Sequence, residues 1–145
     1  MSLAEFNEAG DLPTGVRQAA MEEVTERFGS DTDQRRKVTK NLLRIYELAS
    51  ATGKLNRFLI FGSYVTAEPE PNDVDVVLVM EDDFNLTLLS TEERGSFDHQ
   101  QADRRFGASI FWVRPGMLFE PLSHFVESWE IKRDGTKRGI VEVIL

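Results

Sequence analysis

Two short apolar runs, separated by a Gly-Ser pair and a proline-rich loop, restrict the folding of this chain more than any other feature. Residues 58–61, Phe-Leu-Ile-Phe, are uniformly apolar and suit a buried strand. Residues 73–80, Asp-Val-Asp-Val-Val-Leu-Val-Met, read as a second buried strand with two acids at its mouth. Between them Pro69, Pro71 and Asn72 favour a turn, so the chain must double back. Directly after the first run come Gly62 and Ser63. Glycine permits close approach of the backbone to a ligand, and a serine hydroxyl can donate to a phosphate oxygen.

Side chains alternate along a strand, so Asp73 and Asp75 leave the same face, rooted about 6–7 Å apart. Two carboxylates so placed can converge on Mg²⁺, which prefers oxygen ligands and commonly takes one or two carboxylates plus substrate phosphates. Gly-Ser and Asp-x-Asp are each common by chance; their combination at this spacing, between two apolar strands, is far more specific. The blander alternative is a strand-loop-strand unit with two solvated acids capping an edge.

Gly62, Ser63, Asp73 and Asp75 together resemble the signature of the nucleotidyltransferase superfamily. The likeness extends to residues 6–29, to Arg35-Arg36, to Tyr64-Val65-Thr66 and Pro71-Asn72-Asp73, and to residues 129–145. In these the chain looks like a small bacterial family of uncharacterised nucleotidyltransferase-like proteins. The resemblance implies binding of Mg²⁺ and of ATP or another nucleoside triphosphate. Ser63 would hold phosphate oxygens beside Gly62, Asp73 and Asp75 would hold metal, and a nucleoside monophosphate would pass to a hydroxyl on a protein or RNA acceptor. Active relatives carry a third acid on a later strand; here Ser109 stands at that position. Serine is a poor metal ligand and cannot serve as a carboxylate base. The alternative reading is therefore a catalytically degenerate binding or regulatory module, for example a toxin–antitoxin component. Relatives also place a basic residue just after Gly-Ser, where this chain has Tyr64, Thr66, Ala67, Glu68 and Glu70.

The chain of 145 residues suits a single domain, with a helical part over 1–53 and a sheet core over 57–145. A net charge of −8 at pH 7 argues against general DNA binding or adhesion to anionic lipid. Absence of cysteine excludes disulfides and thiolate metal sites. No apolar run has the length of a membrane span, and no basic-then-apolar leader opens the chain, so a cytoplasmic protein is expected.

The remaining pattern predicts a helix over 16–28 capped by Thr14, with Val16, Ala20, Val24 and Phe28 at helical spacing. A second helix, capped among Ser30 to Asp33, should reach about Ala51 with the stripe Val38, Leu42, Ile45 and Ala49. Arg35, Arg36 and Lys37 in its first turn read as a solvated face. Glu81-Asp82-Asp83 reads as a solvated loop, 91–106 as a weak helix anchored by Phe97 and Phe106, and 108–113 as a strand. A helix over 117–131 with Pro121 in its first turn, an Asp134-Gly135 turn and a strand over 140–145 complete the chain. Trp112 and Trp129 read as core anchors, and His99 with Asp103 is too sparse for a zinc site. Lys132, Arg133, Lys137 and Arg138 form a local basic patch, either solvated or facing a phosphate or RNA backbone. The expected architecture is α/β: a small mixed sheet covered by helices, with two N-terminal helices, as in the nucleotidyltransferase core.

Overall fold

The computed structural model describes residues 3–95, 97, 98 and 108–145. Its sheet contains β1 (Val16–Ala19), β2 (Leu55–Phe61), β3 (Val74–Met80), β4 (Ala108–Val113) and β5 (Ile140–Val143). They lie in the order β1-β5-β2-β3-β4. β2 runs antiparallel to β3 and β5, while β1–β5 and β3–β4 pair in parallel, so the sheet is mixed as expected. The helices are α1 (Met21–Phe28), α2 (Asp33–Ala51), α3 (Thr91–Gly95) and α4 (Leu122–Ser128). Among the described residues no helix is long and apolar enough to cross a membrane.

β3 shows why the acids stay at one end. Val74, Val76, Leu78 and Met80 join a core with Val38, Leu42, Ile45 and Ala49 of α2. The alternate residues Val77 and Val79 pack with Leu59, Ile140 and Val126 under α4. Both faces of the strand are thus dry along most of its length, and an acid is tolerable only at the open mouth. Thr32 caps α2, its side chain accepting from the Arg35 N–H at 3.1 Å.

Three expectations need correction. Val16–Ala19 is a strand, not the start of a helix: it pairs with Ile140–Val143, and α1 begins only after Ala20. Val24 and Phe28 are buried as the helical spacing implied, but Val16 packs beneath the sheet on the α4 side. The pairing partner lies more than a hundred residues away, beyond the reach of any local pattern. The two N-terminal helices are therefore preceded by an edge strand. The helix over 117–131 shrinks to Leu122–Ser128 with Pro121 at its cap, while Pro115–Met117 forms a separate helical turn. Proline keeps its predecessor out of helical geometry, so the helix cannot extend back through it. Its stripe survives, with Val126 buried and Leu122, Phe125 and Trp129 packed around it.

The third correction concerns Arg35, which is 3% exposed where a solvated face was expected. Its guanidinium donates to the carbonyls of Phe28 (3.0 Å), Tyr64 (2.7 Å), Thr66 (2.7 Å) and Glu68 (3.1 and 2.5 Å). Burial lowers its pKa, with the aromatic and acidic groups around it opposing that shift. A planar fork of donors suits converging carbonyls better than any other side chain does. Arg36 fits the expectation: it is exposed on the helix surface beside Asp33.

The acidic run is exposed, with Asp83 paired to Lys54 at 2.6 Å. Phe97 is buried against Phe84 and Trp112, as its expected anchoring role requires. The rest of the helix expected to reach Phe106, with His99 and Asp103, lies outside the described residues.

Candidate functional site

Strand direction gathers the site. β2 ends at Phe61, and β3, running the other way, begins beside it with Phe61 opposite Asp75. β4 runs parallel to β3, so its first residues arrive at the same end with Ser109 opposite Asp75. β5 is antiparallel to β2, so the segment entering β5 also reaches the end of β2. One cleft of about 680 Å³ results, lined by Gly62, Ser63, Asp73, Asp75, Ser109, Trp129, Lys132, Arg133 and Arg138 among others. All five residues singled out from the sequence therefore share it.

Gly62 leaves β2 with φ +80°, a backbone region that side-chain-bearing residues rarely adopt. A Cβ there would stand 2.1 Å from Asp75 Oδ2. Ser63 follows in the helical turn Ser63–Val65, which directs Tyr64 and Val65 inward, both fully buried. The Thr39 hydroxyl donates to the Arg35 carbonyl at 2.7 Å, which leaves the Tyr64 hydroxyl to donate to Thr39 at 2.7 Å. Arg35 grips the carbonyls of Tyr64 and Thr66 from behind. Thr32 and Gln34 donate to the carbonyls of Pro69 and Pro71, both at 2.8 Å. The whole turn and loop thus hang from the N-terminus of α2.

The acids are coupled. Asp75 has its pKa raised to about 6, chiefly by burial and then by the neighbouring charge of Asp73. The Ser109 hydroxyl and the cations Arg138 and Arg133 act in the opposite sense. Ser109 Oγ also donates to Asp73 Oδ2 at a long 3.5 Å. The two carboxylates are hard oxygen donors, the chemistry of a hard divalent cation, and no thiolate or imidazole is among the lining residues.

The opposite wall was only half legible. Lys132, Arg133, Lys137 and Arg138 form a local basic patch in the sequence; the fold carries three of them, Lys132, Arg133 and Arg138, into the cleft of the acids. They sit on a small hairpin, closed by the Ile131–Lys137 bridge and by the Lys132 N–H donating to the Thr136 carbonyl at 2.7 Å. Gly135, at φ +87°, forms the expected turn with Asp134. Glu68 and Glu70 are exposed on the preceding loop and are not among the lining residues. Trp129 is more than a core anchor: it packs on Phe61 (ring centroids 4.7 Å) and Phe111 (5.1 Å) and forms part of the cleft wall. Trp112 anchors Phe84 and Phe97, as expected.

Fold and site together define a mixed α/β protein whose sheet presents paired acids, a Gly-Ser turn and a facing cationic hairpin at one end. Over residues 4–144 the chain matches a family described as a family of unknown function (DUF6932), and it belongs to that family. No curated protein and no solved structure matches the chain.

Proposed function

We propose that the cleft binds a nucleoside triphosphate with Mg²⁺, in the manner of the nucleotidyltransferases that the sequence resembles. One observation carries this reading: Asp73, Asp75, Gly62 and Ser63 line a single open cleft. The bland alternative, two solvated acids capping a sheet edge, does not account for an Asp75 packed against a glycine that admits no Cβ.

The donor set fits the ion. Asp73 and Asp75 would hold Mg²⁺, whose chemistry there is to offset phosphate charge and polarise the reacting phosphoryl group. Ser63 would donate to phosphate oxygens, and Trp129 with Phe61 offers an apolar wall beside them. An in-line transfer of a nucleoside monophosphate to an acceptor hydroxyl, on a protein or RNA, is the activity that such a site supports.

Ser109 favours a second reading. It sits opposite Asp75 where active relatives carry a third acid, and it offers no carboxylate to take the acceptor's proton. On that reading the protein binds nucleotide without turnover, as a regulatory module such as half of a toxin–antitoxin pair. A crystal structure with Mg²⁺ and a non-hydrolysable ATP analogue tests the shared part: density for metal between Asp73 and Asp75 supports it, and nucleotide bound elsewhere refutes it. Transfer from α-phosphate-labelled nucleotide to cell extract then separates enzyme from binding module.

A further inference from the structure

The turn after Gly62-Ser63 carries no cation: Tyr64 and Val65 are buried, and Glu68 and Glu70 follow them. A triphosphate carries more negative charge than one divalent ion offsets, so some other element must supply the balance. We propose that the hairpin over 130–138 is the polyphosphate subsite, with Arg133 and Arg138 as its phosphate ligands and Asp11 as the residue that orients Lys132 and Arg138. This rests on the nucleotide reading above and names the part of the site that would hold the phosphates.

Hydrogen bonds cross-link the hairpin. The Arg138 N–H donates to the Glu130 carbonyl at 2.9 Å and the Gly135 N–H to the Lys132 carbonyl at 3.0 Å. Asp134 also lines the cleft, but its Oδ1 accepts from the Thr136 N–H (2.9 Å) and hydroxyl (2.6 Å), within the turn. Behind the hairpin, Asp11 has a side chain only 8% exposed; it accepts from Lys132 Nζ at 3.0 Å and stands 3.6 Å from an Arg138 nitrogen. Asp11 is itself fixed by Asn7, whose N–H donates to the Asp11 carbonyl at 2.7 Å. One acid thus orders two cations and offsets the charge of one. Arg133 is exposed and makes no ion pair among the described residues.

A purely structural role for Asp11 is weakly motivated, because the hairpin is already fastened. The Gly139 N–H donates to the Leu12 carbonyl (2.8 Å), the Ile140 N–H to the Gly15 carbonyl (3.1 Å) and the Gly15 N–H to Glu130 Oε1 (2.5 Å). A Cβ on Gly139 would lie 2.2 Å from the Pro13 carbonyl oxygen, so the two segments touch backbone to backbone. Burying Asp11 beside this seam adds orientation of Lys132 and Arg138 toward the cleft. Arg133 and Arg138 line the same cleft as Asp73 and Asp75.

The test is isothermal titration of the full chain with Mg-ATP, with Mg-tripolyphosphate, which lacks base and sugar, and with adenosine. The proteins are wild type, Arg133→Gln, Arg133→Gln/Arg138→Gln, Asp11→Asn and Asp73→Asn/Asp75→Asn, each checked by thermal melting. The exposed Arg133→Gln keeps the test valid even where Asp11→Asn fails to fold. Loss of one charge-assisted contact should weaken Mg-ATP and Mg-tripolyphosphate alike, roughly tenfold for Arg133→Gln, and leave adenosine unchanged. Asp11→Asn should weaken both phosphate ligands through lost orientation of Lys132 and Arg138 while leaving adenosine unchanged, which a general loss of structure would not do selectively. Arginine variants that bind Mg-ATP like wild type, while the aspartate variant loses it, overturn the subsite and leave the nucleotide reading intact. Wild type that binds tripolyphosphate through Arg133 but no nucleotide keeps the subsite and overturns the nucleotide reading. Binding of neither overturns both.

Discussion

Gly62 and Asp75 meet so closely that the carboxylate occupies the volume a side chain on residue 62 would need; a Cβ there would lie 2.1 Å from Oδ2. The positive φ of Gly62 adds a second reason for glycine. Gly62→Ala should therefore destabilise the fold by about 2–3 kcal/mol, from backbone strain and displacement of Asp75 together. Urea unfolding measures this. A loss below about 0.5 kcal/mol, the range of an ordinary surface change, would show that the turn and the carboxylate can separate without penalty.

Asp75 also sets a pH dependence. With its folded-state pKa raised to about 6, the native protein holds a proton that the unfolded chain releases nearer the ordinary aspartate value. Between those values the native state binds more protons, so this group's contribution to stability falls as pH rises and is lowest above about pH 6. Asp75→Asn removes the effect. In metal-free buffer it should stabilise the protein by about 1–2 kcal/mol at pH 7.5, discounted for partial solvent access, and by much less near pH 4. A stability difference that is constant with pH would contradict this.

Arg35→Met removes the donor to the buried carbonyls of Tyr64 and Thr66, which among the described residues accept from that guanidinium. The expected loss is about 3 kcal/mol, and Arg35→Lys should recover little of it because an ammonium lacks the planar fork. Because Arg35 holds the segment carrying Ser63, nucleotide affinity should fall with stability. Full recovery by lysine would mean that charge, not the fork, is what the loop requires.

Ser109→Asp places a third carboxylate opposite Asp75 in the register. Without Mg²⁺ the added repulsion should lower the melting temperature, and with Mg²⁺ the protein should bind the ion roughly tenfold more tightly than wild type. A gain of nucleotidyl transfer in the variant would identify Ser109 as the residue that silences the site. Weaker Mg²⁺ binding would show that the serine hydroxyl, not its missing charge, is what the site uses.

Much of this was legible in the sequence because it is local. The apolar runs around Gly62-Ser63 and Asp73-x-Asp75 became β2 and β3, and the strand expected over 108–113 is Ala108–Val113. The strand expected from residue 73 begins at Val74, so alternation covers Asp75 and not Asp73, although both line the cleft. What could not be read depends on distant partners. Val16–Ala19 is a strand only because β5 pairs with it, and four residues carry too little alternation to compete with helical spacing. Arg35 looked solvated because nothing in its own helix shows that four carbonyls converge on it. The Lys132–Arg138 patch became part of the site through the antiparallel pairing of β5 with β2, which no motif announces. Asp11 gave no signal at all until its two cations came together around it.

The central claim, that Asp73 and Asp75 bind Mg²⁺ with a nucleotide, is tested most directly by thermal denaturation with and without millimolar Mg²⁺ and ATP. A ligand that binds only the folded state raises its stability, by about 2.7 kcal/mol at a hundredfold excess over Kd. Wild type should therefore melt several degrees higher with Mg²⁺ and ATP together than with either alone, while Asp73→Asn/Asp75→Asn should not respond. Equal shifts in the two proteins, or none in wild type, would contradict the claim.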